Sequence, residues 1–132
     1  MKKVLLISCV PIIVLSFFII NVIYKPEPVH VSMLTLLANP EKYDGKVVRV
    51  EGVGRLEFEN TNLYVNLESQ TEGIFRDTIW LVVELSSEEC QDMIGLNGQY
   101  VTVEGIYNMK NKGHFDGSNG AIENITRYEL VK

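Results

Sequence analysis

The chain contains few of the residues from which small catalytic and metal sites are built. Its 132 residues include two cysteines, two histidines and one tryptophan. Two cysteines are too few for a disulfide-stabilised scaffold or a multi-cysteine zinc site. Contents of 46% hydrophobic, 9% aromatic and 22% charged residues exclude a disordered chain, collagen and a coiled coil. The length fits one ordinary domain with a small additional segment.

Basic residues are also scarce. The chain has 12 Lys and Arg against 17 Asp and Glu. Lys2 and Lys3 are the only charged side chains before residue 25. Subtracting these two lysines leaves ten basic against 17 acidic side chains, so residues 25–132 have a net charge of −7. Neutralising nucleic-acid phosphates requires clustered basic residues. We therefore predict no nucleic-acid partner, and a domain that anionic surfaces repel.

Residues 4–24 form an uncharged, mostly apolar run. As a helix rising about 1.5 Å per residue, the run would be about 31 Å long, enough to cross the hydrocarbon core of a bilayer. Lys2 and Lys3 precede it, which favours a cytoplasmic N-terminus and an extracytoplasmic C-terminal domain. We predict that residues 1–24 are an uncleaved signal anchor that crosses the inner (cytoplasmic) membrane once.

Two alternatives for this segment remain open. A cleaved signal peptide has an apolar stretch of about 7 to 15 residues and a small-residue cleavage site, whereas this run is longer and has no Ala-x-Ala-like triplet. The tetrapeptide Leu6-Ile7-Ser8-Cys9 resembles a lipobox, which would place a lipid on Cys9, but the apolar run continues well beyond it.

Residues 25–30 are predicted to be a linker. Pro26 and Pro28 alternate with other residues, and such spacing favours extended polyproline geometry and a stiff spacer. The folded domain then comprises residues 31–132.

Hydrophobic alternation in this domain predicts five strands, at residues 47–58, 63–67, 78–85, 99–107 and 121–131. A short helix follows Ser32, and a second helix begins at Ser86-Ser87 between the third and fourth strands. Asn60-Thr61-Asn62 predicts a turn, and residues 69–77 and 108–120 are predicted loops. Gly52 and Gly54 interrupt the first strand and predict a bend that lets one strand serve two sides of a barrel.

An internal repeat supports this arrangement. Residues 44–52 match residues 97–105, since each copy has a turn, a strand with two valines on one side, and a glycine. The order β-β-β-α-β-β resembles the OB-fold, a five-stranded Greek-key barrel in which strands one and four are neighbours. We therefore predict a mainly β chain, a five-stranded OB-fold-like Greek-key barrel with a helix between strands 3 and 4, preceded by a transmembrane helix.

Two further stretches resemble those of small bacterial exported or membrane-anchored OB-fold proteins without an assigned activity. The stretches are Asn39-Pro40-Glu41-Lys42-Tyr43-Asp44-Gly45-Lys46, and Gly113-His114-Phe115 followed by Gly120-Ala121-Ile122-Glu123-Asn124-Ile125. The resemblance implies the fold and the membrane location, and it implies no mechanism.

The outer face of the second and third strands is the first candidate binding surface. If the leucines and valines of these strands point inward, period-two alternation directs Tyr64, Asn66, Trp80 and Val82 outward. Exposed aromatic residues on this face of binding OB-folds stack on bases, sugars or peptide side chains. The alternative is that Trp80 covers the barrel beneath a loop or a helix.

His114 and Phe115, in the loop between the last two strands, are the second candidate, because this loop borders the usual OB-fold ligand face. An imidazole beside the Asp116 carboxylate could ligate a metal or haem iron, or sense pH. A single histidine without a second ligand nearby is more typical of a solvated loop or of a hydrogen bond that stabilises a turn.

The sequence contains no nucleophile triad, phosphate loop or metal motif. It therefore predicts a non-enzymatic, membrane-tethered extracytoplasmic OB-fold module without a cofactor, binding a protein, peptide or glycan, such as another envelope component. The alternative function is a metal- or haem-handling carrier that uses His114. Cys90, remote from Cys9, is predicted to be a reduced, half-buried helix residue.

Overall fold

The computed structural model describes residues 25–132, so the predicted membrane anchor at residues 1–24 lies outside the described residues. Within the described part, none of the helices combines the length and apolar character needed to cross a membrane. This part is mainly β, with a six-stranded mixed sheet. The strands are β1 (Val29–His30), β2 (Val47–Glu57), β3 (Asn60–Tyr64), β4 (Thr78–Leu81), β5 (Tyr100–Asn108) and β6 (Ala121–Leu130). The helices are α1 (Met33–Ala38), α2 (Pro40–Tyr43), α3 (Leu67–Thr71) and α4 (Glu88–Ile94), with 3-10 turns at Phe75–Asp77 and His114–Asp116.

Local capping chemistry decides where two of the helices begin. The Ser32 hydroxyl accepts a hydrogen bond from the Thr35 amide at 3.1 Å, and the Ser87 hydroxyl accepts one from the Cys90 amide at 3.2 Å. Both caps confirm the predicted helix starts. Asn39 ends α1, and Pro40 occupies the first position of α2, where its fixed φ and missing amide proton are tolerated.

Strand β2 changes partner halfway along its length. Residues 47–53 pair antiparallel with β5, and residues 53–57 pair antiparallel with β3. This arrangement confirms that one glycine-containing strand serves two sides of the sheet. The backbone is tightly packed where β2 changes partner, and this requires a glycine at position 52. A Cβ atom on Gly52 would lie 2.6 Å from the Tyr64 carbonyl oxygen.

The sheet curls back on itself, but unevenly. The strands pair in the order β2-β3-β4-β6-β5, and β5 returns to β2. The β2–β5 junction is long, whereas β4 joins β6 in parallel only at Trp80 and Leu81. The core inside this curved sheet consists mainly of valine, leucine and isoleucine side chains, with Tyr107 among its largest buried members.

The two copies of the internal repeat lie side by side, as predicted. Val50 pairs with Val103 at the centre of the β2–β5 junction, and the two copies run antiparallel. The repeated valines Val48, Val50, Val101 and Val103 are all fully buried. The repeat therefore supplies both halves of one wall of the core.

A sixth strand forms where the sequence predicted the end of the linker. Val29 and His30 pair in parallel with Val48 and Arg49, and the Val31 amide donates to the Arg49 carbonyl at 3.1 Å. The His30 imidazole also contacts the Arg49 guanidinium. The last two residues of the predicted linker thus belong to the sheet.

Several element boundaries differ from the predicted ones. The hairpin turn is Phe58-Glu59, so β3 begins at Asn60 within the predicted turn. The predicted strand at 63–67 ends at Tyr64, because the Asn66 side chain caps α3 by accepting from the Ser69 amide at 2.8 Å. Part of the predicted 69–77 loop is therefore helical, and β4 ends at Leu81 instead of residue 85.

Cys90 is buried more deeply than predicted. It is 2% exposed and has no disulfide partner within residues 25–132. Burial raises the pKa of its thiol, which keeps the unreactive protonated form.

Tyr128 makes stability depend on alkaline pH. Its hydroxyl is buried against Gly54 without a hydrogen-bond partner in the described part of the chain. Burial, with a smaller effect of Cys90, raises the pKa of Tyr128 to about 12. A tyrosine with a raised folded-state pKa contributes its full stabilisation below the unfolded value of about 10, and loses it as the pH rises towards 12.

We therefore expect Tyr128→Phe to reduce the loss of unfolding free energy between pH 10 and 12. At pH 7 the change should stay within about 1 kcal/mol, because the removed hydroxyl makes no hydrogen bond. Chemical unfolding of the full chain in detergent micelles at several pH values measures both quantities. Tyr100→Phe, at a tyrosine that is 48% exposed, is the control. An unchanged alkaline slope in Tyr128→Phe would contradict this assignment.

Candidate binding cleft

A recess of 220 Å³ lies where the β2–β3 turn, the Phe75–Asp77 turn, β4 and the β5–β6 loop meet. We call it the aromatic cleft, and it is lined by Glu59, Asn62, Phe75, Trp80, His114, Phe115, Gly117 and Ser118. Its volume lies below the about 300–1,000 Å³ of sites for drug-sized ligands, and it suits a single side chain.

A recess of 290 Å³ near Cys90 is larger than the aromatic cleft and contains one predicted residue, Val82. Two grooves larger still, of 530 and 500 Å³, lie against α1 and α4. They follow the seams between these helices and the sheet, and neither contains a residue predicted to bind ligand. The aromatic cleft is smaller, but three predicted residues line it together, and we therefore treat it as the candidate site.

Trp80 forms one wall of the aromatic cleft. One side of its indole ring packs closely on the backbone of Gly113, where a Cβ atom would lie 2.5 Å from Trp80 Cδ2. The Trp80 amide donates to the Gly120 carbonyl at 2.9 Å, which holds β4 against the end of the β5–β6 loop. Trp80 therefore lies beneath a loop and still lines the cleft, so both sequence-based expectations describe part of its position.

The floor of the aromatic cleft is polar, and its groups have partners within the protein. The buried Ser118 hydroxyl donates to Asn62 Oδ1 at 2.7 Å and lies 3.1 Å from the Thr78 hydroxyl. The Asn62 amide group donates to Asn60 Oδ1 at 3.0 Å. Buried polar groups satisfied in this way stabilise the floor and leave it little capacity for new hydrogen bonds.

The rim brings two loops together. His114 Nε2 lies 3.6 Å from the Glu59 carboxylate, which links the β5–β6 loop to the β2–β3 turn. Phe115 packs beside His114, with ring centroids 4.0 Å apart, and its own ring is 90% exposed. Glu59, Phe115 and Asp116 all have positive φ angles, of 59°, 52° and 53°. Left-handed backbone at non-glycine residues is concentrated at functional sites.

The phenylalanines of the described chain are all on the surface. Phe58, Phe75 and Phe115 are 84%, 44% and 90% exposed, and the latter two line the aromatic cleft. Phe58 lies on the hairpin turn next to Glu59. The exposed rings of Phe75 and Phe115 meet at the aromatic cleft, as is typical of an interaction site, whereas Phe58 does not line it.

Three of the six predicted ligand-binding residues meet in the aromatic cleft, namely Trp80, His114 and Phe115. The predicted outward position of Tyr64 is wrong. Its ring is fully buried, because the following segment covers this side of β3 and brings Phe75 to a centroid distance of 6.1 Å. The Tyr64 hydroxyl donates to Asn60 Oδ1 at 2.9 Å, and burial raises the pKa of Tyr64.

The remaining two predicted residues lie outside the aromatic cleft. Asn66 uses its side chain to cap α3, and Val82 is exposed beyond the end of β4, beside a separate recess near Cys90. The sequence did not lead us to assign Glu59, Asn62, Phe75 or Ser118 to a binding site. Only Phe75 gave a usable signal, as an isolated aromatic residue in a polar segment.

No group of three or more histidine, cysteine or acidic side chains within residues 25–132 is arranged to hold a metal ion. His114 has the Glu59 carboxylate as its acidic neighbour, and His30 contacts Arg49 instead. The two histidines therefore occupy unrelated surroundings.

Comparison with protein-family models, with curated proteins and with solved structures finds no match. The chemistry of the site is accordingly argued from its own geometry. The aromatic cleft combines three aromatic rings, an internally paired polar floor and one carboxylate at its rim.

Proposed function

We propose that the chain is a membrane-tethered, extracytoplasmic and non-catalytic binding module whose aromatic cleft holds a segment of a protein or peptide. One observation is the main support. Trp80, Phe75 and Phe115 come from three separate segments and line one recess of 220 Å³. Residues 4–24 provide the membrane attachment in this proposal, and the lysines before them set its orientation.

The finer fold assignment is part of the same proposal. The strand order β2-β3-β4-β6-β5 with a return to β2, and α4 between β4 and β5, supports an OB-fold barrel made of β2 to β6. OB-folds bind ligands over their second and third strands and the two neighbouring loops. Those elements correspond to β3, β4, the Phe58-Glu59 turn and the β5–β6 loop, which also surround the aromatic cleft.

A peptide fits this site better than a glycan or a nucleic acid. Sugar hydroxyls require unpaired polar groups, whereas Asn62 and Ser118 bond to each other on the floor. The net charge of −7 on residues 25–132 opposes polyphosphate ligands. The exposed Phe115 ring instead offers apolar area that a peptide side chain would cover.

The alternative function, a metal or haem carrier, has the proximity of His114 and Glu59 in its favour. A structural zinc site needs four protein ligands, and a catalytic one needs three. Titration of the wild type and of His114→Ala with haem and with zinc distinguishes this alternative from the peptide module.

We expect Phe115→Ala to reduce recovery of the partner at least about fivefold in crosslinking pull-downs from native membranes, because the variant removes one wall of the aromatic cleft. Phe58→Ala is the matched control. It deletes an equally exposed phenylalanine from a neighbouring turn, and its side chain does not line the cleft. Both variants should keep the unfolding free energy within about 0.5 kcal/mol of wild type. Equal recovery by the two variants would show that partner binding does not use the cleft.

A further inference from the structure

The charges around the aromatic cleft are unequal. Glu59 lies at its rim, and no lysine or arginine is among its lining residues in the described chain. Arg76, which directly follows the lining residue Phe75, has a side chain that is 83% exposed and pairs with Asp77 at 3.6 Å. The cleft is thus an aromatic recess with a carboxylate at its rim, within a domain whose overall charge is −7.

The Glu59 carboxylate is available to a ligand. The basic side chain that it contacts within residues 25–132 is the His114 imidazole, and their separation of 3.6 Å exceeds the length of a hydrogen bond. The Glu59 side chain is 54% exposed, so it can rotate towards a group placed in the recess. The floor residues, in contrast, already have partners and would gain little from a neutral polar ligand.

Aromatic faces beside a carboxylate favour a cation. The ring quadrupole attracts an ammonium or guanidinium group placed over its face, most strongly at tryptophan. Trp80, Phe75 and Phe115 provide such rings, and the aliphatic stem of a lysine or arginine would cover their apolar surface. A purely apolar side chain would use the rings but would gain nothing from the Glu59 carboxylate.

We propose that the aromatic cleft recognises a positively charged side chain, arginine or lysine, in a basic peptide segment of the partner. The Glu59 carboxylate pairs with the cation, and the three rings contact its stem and its charged group. The acidic surface of the domain attracts the basic segment and accelerates its association. This inference rests on the proposed function, because it names the chemistry of the ligand at the same site.

The single tryptophan makes the test specific, because the tryptophan emission of the whole chain comes from Trp80 in the cleft wall. The full chain in micelles of an uncharged detergent is titrated with acetyl-Gly-Arg-Gly-amide and with the same tripeptide carrying norleucine in place of arginine. We expect the arginine peptide to reach half-saturation at a millimolar concentration, because it contributes a single side chain to the cleft. The norleucine peptide should need a concentration at least about fivefold higher.

The Glu59→Gln variant then tests the role of the carboxylate. The concentration of the arginine peptide at half-saturation should rise about fivefold, because the peptide loses its ionic partner. The corresponding concentration of the norleucine peptide should stay within about twofold of wild type. Glu88→Gln is the control, because it removes the same charge from an exposed residue at the start of α4. It should leave the half-saturation concentrations of both peptides unchanged. Phe115→Ala should weaken both peptides, because both use the ring.

Each remaining outcome has a definite meaning. Equal half-saturation by the two peptides, or no effect of Glu59→Gln, overturns the cationic ligand and leaves the peptide module standing. An unchanged Trp80 emission with both peptides, in a protein whose circular dichroism shows the β fold, overturns the cleft as the binding site and removes both proposals.

Discussion

Replacing Gly120 with alanine is expected to lower the free energy of unfolding by about 3 kcal/mol, a large part of the about 5–15 kcal/mol that stabilises an ordinary domain. Gly120 has φ +97°, a backbone conformation that costs an L-residue about 1–2 kcal/mol. The added Cβ atom would also lie 2.5 Å from the Tyr107 hydroxyl and 2.7 Å from its ring. Such overpacking costs about 1–3 kcal/mol more.

Tyr107 cannot move away from this methyl group at low cost. Its ring is fully buried, and its hydroxyl donates to the Asn119 carbonyl at 2.8 Å, next to the substituted residue. The clash would therefore displace the end of the β5–β6 loop or the core itself.

Gly45→Ala separates the two contributions. Gly45 has φ +76°, and a Cβ atom there would meet nothing within 4 Å. We expect a loss of only about 1 kcal/mol, from backbone strain alone. Chemical unfolding of both variants, as full chains in micelles, gives the difference due to the Tyr107 contact. Equal losses at the two positions would mean that the contact with Tyr107 relaxes freely.

Gly113→Ala is expected to weaken binding at the aromatic cleft more than tenfold. Gly113 has φ +68°, and its Cβ atom would lie 2.5–2.6 Å from three atoms of the Trp80 indole. Either the β5–β6 loop or the indole ring must move, and both form walls of the cleft. Because a displacement of about 1 Å is enough to remove a well-fitted contact, binding should fall further than on deletion of one ring.

Gly45→Ala is the control, at a glycine that does not line the cleft. Gly45 has φ +76°, close to the φ of Gly113, but its Cβ atom would meet nothing within 4 Å. Titration with the arginine tripeptide, followed by Trp80 emission, should give half-saturation at a concentration within about twofold of wild type for Gly45→Ala. Wild-type binding by Gly113→Ala would show that Trp80 does not form the ligand-binding wall.

The sequence predicted best those features that neighbouring residues decide. Ser32 and Ser87 cap their helices through hydrogen bonds to amides three residues away, and this chemistry is visible in the sequence. The pairing of the two repeats followed from the resemblance to the OB-fold, in which strands one and four are neighbours. Alternation failed at Tyr64, since it assumes that one face of a strand meets water, and α3 and Phe75 cover that face.

The candidate site was predictable only in part. Residue type singled out Trp80, His114 and Phe115, but their convergence depends on the path of the β5–β6 loop, which long-range packing on Trp80 decides. Glu59 was not assigned to the site because Asn60-Thr61-Asn62 has the composition of a turn, whereas the turn is Phe58-Glu59, which begins two positions earlier and places Glu59 at φ 59°. The acidic character of the cleft follows from that displaced turn.

On the proposed topology, the parallel pairing of β1 limits how far the domain can lie from its membrane anchor. Because Val29 and His30 pair with the sheet, residues 25–28 alone connect the proposed anchor to the folded domain. Fully extended, they span at most about 14 Å, at about 3.5 Å per residue. On the proposed topology, the cleft therefore samples a thin layer at the outer surface of the membrane. Proteins resident in that layer encounter it repeatedly, so proximity selects the partner alongside charge.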